Sequence, residues 1–323
     1  MSVYGLSLCY VQLYCRVGLA GGLGRGHYMN GSMNGAGEAP KLGLLPYFPD
    51  FPANAEAPFL RMRLPMPRRI IDISVALQAD IASDPPGMEP KIKYFDHKQT
   101  AKEVCRFFPG LEPRQLPDGE GWAIEHVQLT THSGTHLDAP WHFASTMDGG
   151  KPSLTIDQVP LDWCFQPGVK LDFRHFPDGY LVTAVDIEAE LARIGHTLAP
   201  LEIVVVNTAA GVRYGQDDYL PTGCGMGREA TLYLTSRGVR ITGTDAWSWD
   251  APFVHTARKY AASQDASLIW EGHKAGREIG YCHMEKLSNL EQLPADGFMV
   301  SCFPVKIKAA SAGWTRAVAI IDG

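Results

Sequence analysis

Three imidazoles and one carboxylate stand within eleven residues of this 323-residue chain: His132, His136, Asp138 and His142, at the spacing His-x3-His-x-Asp-x3-His. Each of the four groups is able to ligate a divalent metal. Gly134 and Pro140 interrupt the stretch and exclude one continuous helix through it, because glycine weakens a helix interior and proline breaks one. The reading is therefore a strand-to-loop turn. In it, His132 and His136 converge with Asp138 on one ion, and the rigid Ala139-Pro140 corner swings His142 back toward the same point. Nitrogen and oxygen donors without a nearby thiolate suit Zn²⁺, Mn²⁺ or Fe²⁺ rather than a structural Cys-rich zinc site. A single histidine is ordinarily a surface or core residue; the clustering is what carries a metal reading here.

The surrounding pattern supplies a scaffold. Residues 122–130 alternate side chains as a strand does and lead into the motif. Ile71 onward alternates likewise, and Asp84-Pro85-Pro86-Gly87 turns the chain. Gly168 to Phe173 reads as a strand and Ile203 to Val206 as a buried one. Thr183 with Asp186 predicts an N-capped helix through Arg193 that Gly195 ends. Arg228 to Arg237 predicts a short helix stopped by Gly238, followed by a strand from Val239 to Gly243. Phe298 to Cys302 and Thr315 to Ile321 read as two closing strands. The mixture predicts an α/β fold, a single domain with a mixed, largely β core.

The sequence His132-Ser133-Gly134-Thr135-His136-Leu137-Asp138-Ala139-Pro140-Trp141-His142 resembles the His-x-Gly-Thr-His-x-Asp-x-Pro-x-His signature of the cyclase-like metal-dependent hydrolases, a family that includes kynurenine formamidases and isatin hydrolases. The family pattern also has a later histidine and, twelve residues on, a glutamate before a Leu-x-Asn-Leu segment. His273, Glu285 and Leu287-Ser288-Asn289-Leu290 match it, and the resemblance spans roughly residues 69 to 322. It implies a swivelling β/β/α (cyclase-like) fold. It also implies a divalent metal, Zn or Mn, at two ions per chain, with the aspartate and the glutamate lying between the two ions as in the formamidases; His132, His136 and Asp138 read as completing one site, and His142, His273 and Glu285 as holding a second ion nearby. In relatives that lack the glutamate one metal is used and the position of His142 is catalytic. Because Glu285 is present, the two-metal version is expected. His283 is the other candidate close by, but it lies two residues before Glu285 and off the family pattern.

The activity implied is hydrolysis of an amide, arylformamide or cyclic amide bond by metal-activated water, with His142 as a proton shuttle. Lactone hydrolysis, or cyclisation of a related ring substrate, is the alternative the same site serves. A non-catalytic, metal-stabilised scaffold is the third reading, disfavoured because a structural site needs only four ligands. Ser133 beside His132 is a chain neighbour rather than a nucleophile. Thr244-Asp245-Ala246-Trp247-Ser248-Trp249-Asp250 resembles another family segment, in which Asp245 either orients a ligating histidine or caps the turn. Trp247 and Trp249, with Trp270, are read as an apolar substrate wall or as core, and Arg316 as a substrate or ion-pair contact. Tyr94, Phe95, Phe107 and Phe108 read as packing residues or as a lid.

A net charge of −6, with no basic stretch interleaved with aromatics, gives no nucleic-acid partner, and no membrane partner is expected. Seven scattered cysteines without a Cys-x-x-Cys pair read as reduced thiols of a cytoplasmic protein. The partner is a small-molecule substrate, and the resemblance adds a homodimer or homotetramer. Residues 1–40, rich in Gly, Asn and Ser from Gly21 onward, read as a disordered or mis-assigned extension and 41–68 as a Pro-rich extended arm. The hydrolase domain is expected at 69–323.

Overall fold

Nine strands join in one mixed sheet in the computed structural model, which describes residues 68–322; the expected extension and nearly all of the arm lie outside the described residues. The spatial order is Arg69–Asp72, Val318–Ile321, Phe298–Ser301, Phe165–Asp172, Ile203–Asn207, Ile241–Thr244, Cys282–Glu285, His136–Asp138 and Ala312–Trp314. The middle pairings, from Phe165–Asp172 through Cys282–Glu285, are parallel, and those on either side are antiparallel. Parallel neighbours require crossovers, and helices supply them: Ala184–Ile194, Arg228–Ser236, and then Phe253–Ser263 with Glu271–Lys274. The mixed, single-domain α/β class with a largely β core, read from the sequence, is the one observed.

Local chemistry explains the boundaries. The helix Ala184–Ile194 opens on a capping box in which the Thr183 side chain meets the backbone of Asp186 and the Asp186 side chain returns to Thr183. It closes on Gly195 at φ 70°, the left-handed conformation that glycine adopts without steric cost. Ile203–Asn207 is buried at every position because both of its faces are covered. Val204 and Val206 join Val169, Leu171, Ile187, Leu191 and Leu234 in the core under the crossover helices. Ile203 and Val205 face the opposite way, with Ile71, Leu137, Ile241, Met284 and Val300.

Two expectations need correction. The 122–130 stretch forms the strand Ile124–Gln128, but it pairs only with Lys91–Phe95 in a separate two-stranded ribbon, and all five of its residues are exposed. Alternation alone did not reveal that nothing among the described residues covers either face. The metal motif is also not a simple strand-to-loop turn. Residues 131–135 turn, His136–Asp138 is itself a strand of the main sheet, and Pro140–Phe143 is a short helix with proline at its first position, where the missing N–H has no intrahelical role.

Candidate metal centre

The strand His136–Asp138 lies antiparallel between Cys282–Glu285 and Ala312–Trp314, with His136 opposite Glu285 and Asp138 opposite His283. Side chains alternate along a strand, so Leu137, Cys282 and Met284 enter one core while His136, Asp138, His283 and Glu285 share the other face. Two adjacent cross-strand pairs thus place four ligating groups on a rigid backbone. His132 arrives from the preceding turn, His142 from the short helix that follows, and His273 from the helix Glu271–Lys274.

The distances knit these seven side chains into one cluster. His132 Nδ1 is 2.8 Å and His136 Nε2 is 3.4 Å from Asp138 Oδ1. His136 Nε2 and His273 Nε2 each lie 3.6 Å from Glu285, on Oε2 and Oε1 respectively. His283 Nε2 lies 3.1 Å from Asp138 Oδ2 and 3.2 Å from Glu285 Oε1, whereas His142 Nε2 is 3.9 Å from Asp138 Oδ2. Donor atoms of His132, His136 and Asp138 lie within 4.8 Å of one another, and so do those of Asp138, His273, His283 and Glu285. Asp138 belongs to both groups. The second group differs from the expected set, because His283 rather than His142 joins His273 and Glu285.

The donor set fits a divalent ion on a further count. His136 Nε2 and both oxygens of Asp138 are buried without a hydrogen-bond partner. Each such orphan costs about 1–3 kcal/mol unless something satisfies it. Outer contacts aim the rings: His136 Nδ1 is 2.8 Å from the Gly134 carbonyl, and His273 Nδ1 hydrogen-bonds to Asp250. Asp250 also accepts from the backbone N–H groups of Gly272 and His273, at 2.8 and 3.1 Å. The orienting carboxylate is therefore Asp250, five residues beyond Asp245. Asp245 caps a turn by accepting from the Thr208 N–H and, at 2.7 Å, from its hydroxyl, and burial pushes its carboxyl up to about 7. Gly134 has φ +61°, and a Cβ there would stand 2.6 Å from Leu77 Cδ2, so the turn that presents His132 and His136 requires glycine.

Electrostatics follow from this crowding. Burial disfavours the charged Asp138 carboxylate, but the His136 and His142 rings and the His132 ring 2.8 Å away hold it well below the usual range. Burial likewise opposes a charged Glu285, yet its contacts with His283 and His273 bring it down to about 2. Burial pulls His142 down to about 4. His283 is raised to about 9, since the adjacent Asp138 and Glu285 carboxylates outweigh its burial.

The aromatic residues sort differently from expectation. Trp249 is fully buried; it stacks behind His283 and donates its indole N–H to Thr231, so it supports the centre and presents no surface to a substrate. Its backbone N–H donates to Glu285 Oε1 at 3.0 Å. Trp247 packs with Ala210, Tyr219 and Ala246 and meets Phe253 edge-on. Trp270 does line the centre, stacked on His273 at 4.5 Å and edge-on to His142 at 5.1 Å. Arg316 is exposed and pairs with Asp72 at 3.0 Å, at the edge of a groove of about 440 Å³ lined also by Leu77, Thr135, Val305 and Trp314. In the sequence His283 is a candidate set aside as off the family pattern, and Asp250 carries no assigned role. The i, i+2 spacing of His283 and Glu285, between apolar Cys282 and Met284, is the strand signal that pairs them on one face.

Comparison with known proteins places the chain among sequences and folds of one family. The chain is 27% identical over 219 residues to the isatin hydrolase of Roseibium aggregatum, covering 63% of this chain and 77% of that protein. It is 27% identical over 207 residues to the kynurenine formamidase of Salinibacter ruber, covering 64% and 83%. The isatin hydrolase A structure from Ralstonia solanacearum superposes with a TM-score of 0.62 at 21% identity over 79% of this chain and 92% of that one, which shows a shared fold. The family described as Putative cyclase matches residues 71–251, more than half of the sequence, and the chain belongs to that family.

Proposed function

We propose that this chain is a metal-dependent hydrolase that cleaves an amide, arylformamide or cyclic amide bond of a small molecule, and that it uses two divalent ions, Zn²⁺ or Mn²⁺, per chain. The observation that carries this reading is the sharing of Asp138 between two buried ligand groups whose His136 Nε2 and Asp138 oxygens have no other partner. His132, His136, Asp138, His273 and Glu285 would hold the ions. Bound there, a divalent ion polarises an acyl carbonyl and lowers the pKa of water toward neutrality.

The chain's own groups do the rest. His132 and His142 keep about 24% and 22% of their side chains exposed while the other ligating groups are nearly buried, so substrate and water reach the centre from their side. His142, neutral at pH 7, holds a ring nitrogen near the reacting carbonyl for proton transfer from the attacking water to the leaving nitrogen. Water adds across the acyl C–N bond, and a carboxylate and an amine leave. This open side argues against a purely structural ion, whose coordination is closed to water. Lactone hydrolysis or ring closure on a related substrate is the alternative chemistry for the same groups.

Metal content by plasma mass spectrometry on untagged protein, with assays on N-formylkynurenine, isatin and a lactone panel, tests the reading. The expected result is two ions per chain, loss of metal and turnover together in His136→Ala, and a kcat about 10²–10⁴-fold lower in His142→Gln. A chain that binds no divalent ion, or binds it and turns over no carbonyl substrate, overturns the proposal.

Two further readings accompany it. The five described cysteines are all unpaired, which supports a reducing, cytoplasmic setting, and no described helix is long and apolar enough to cross a membrane. The exposed apolar side chains of the Lys91–Phe95 and Ile124–Gln128 ribbon support a homodimer or homotetramer.

A further inference from the structure

We propose that His283 is a ligand of the second ion, with Asp138, His273 and Glu285. This rests on the metal-dependent reading above, and it assigns a position that the family pattern leaves outside the site.

Backbone geometry is the first argument. His283 and Asp138 face each other across an antiparallel pair, and Glu285 and His136 form the adjacent rung, so no loop motion is needed to bring these four groups together. His142 instead reaches in from a four-residue helix. Distance is the second. His283 Nε2 touches both carboxylates, at 3.1 and 3.2 Å, while the nearest carboxylate contact of His142 Nε2 is 3.9 Å.

The third argument is the immobility of the ring. His283 is fully buried and stacked between Phe143, at 4.9 Å and 14°, and Trp249, at 5.8 Å and 17°. Its Nδ1 has no hydrogen-bond partner, unlike the second nitrogens of His136 and His273, so the aromatic pair takes over the orienting role that a carbonyl or carboxylate performs for them. An imidazole held in an apolar slot, with its Nε2 against the Asp138 and Glu285 carboxylates, is a preorganised donor for a cation. With His283 in the coordination shell, His142 keeps its nitrogen for proton transfer.

Equilibrium dialysis against Zn²⁺ and against Mn²⁺, followed by metal analysis, separates the roles. Wild type is expected to hold two ions. His283→Gln, which keeps a hydrogen-bonding amide near the carboxylates, is expected to hold one tightly and the second at least about tenfold more weakly. His142→Gln is expected to keep both. A metal-soaked crystal structure of the wild-type chain needs no variant to fold, and should show an ion about 2.0–2.1 Å from His283 Nε2. Unchanged affinity for both ions in His283→Gln, or an ion coordinated by His142 with His283 out of reach, overturns the assignment. A wild-type chain that binds no ion at all sinks the metal-dependent reading instead.

Discussion

Lys286, the residue after Glu285, is fully buried with a backbone φ of 57°, and its ammonium group donates to the carboxylate of Asp84 and, at 2.9 Å, to the carbonyl of His132. Its own carbonyl accepts from the Thr135 hydroxyl at 2.6 Å. One side chain thus ties the glutamate-bearing strand to the turn that carries His132. Replacing Lys286 by Met leaves the buried Asp84 carboxylate with the Ser83 hydroxyl but no counter-charge, and we expect a loss of about 3–5 kcal/mol in urea unfolding. The double variant Lys286→Met, Asp84→Leu should recover much of that loss, because the uncompensated charge is then gone. Equal instability of the single and double variants would show that packing, rather than charge, sets the cost.

Between elements, His196 joins the turn before Ile203–Asn207 to the turn before Phe298–Ser301. Its Nε2 lies 3.0 Å from Glu202 and its Nδ1 3.0 Å from Asp296. Burial pulls this histidine's pKa down, but the two carboxylate hydrogen bonds outweigh burial and raise it above the usual value. The group is therefore protonated more readily in the folded than in the unfolded chain. Its contribution to stability is fully present below pH of about 6.5 and is lost as pH rises through the raised folded value. In urea titrations across pH, His196→Ala should fall furthest below wild type near pH 5.5 and approach it in alkaline solution. A constant gap at all pH values would contradict the protonated clamp.

At the scale of the molecule, the ribbon of Lys91–Phe95 and Ile124–Gln128 leaves Tyr94, Ile124 and Val127 exposed, with Trp122, Phe107 and Phe108 exposed nearby and Phe107 set edge-on to Trp122. An apolar surface of this kind fits contact with another copy of the chain. Light scattering coupled to size exclusion should give a dimer or tetramer for wild type and a shift toward monomer for Val127→Glu with Phe107→Glu. A monomeric wild type at micromolar concentration would remove the oligomeric reading.

The sequence by itself determined what local chemistry determines. The Thr183 cap and the Gly195 stop bound one helix, the apolar run at 203–206 marked a buried strand, and the His-x3-His-x-Asp stretch with His273 and Glu285 marked side chains that converge. Those signals lie in adjacent residues or in a resemblance carried by short motifs. Tertiary structure alone decided that Cys282–Glu285 pairs with His136–Asp138 in the register that sets His283 against Asp138 and Glu285 against His136. It also decided that Asp250 rather than Asp245 aims His273, and that the 124–128 strand lies on an exposed ribbon. The reason is physical: periodicity says which residues of a strand share a face, but the neighbour that face meets is chosen by pairing across more than a hundred residues of chain.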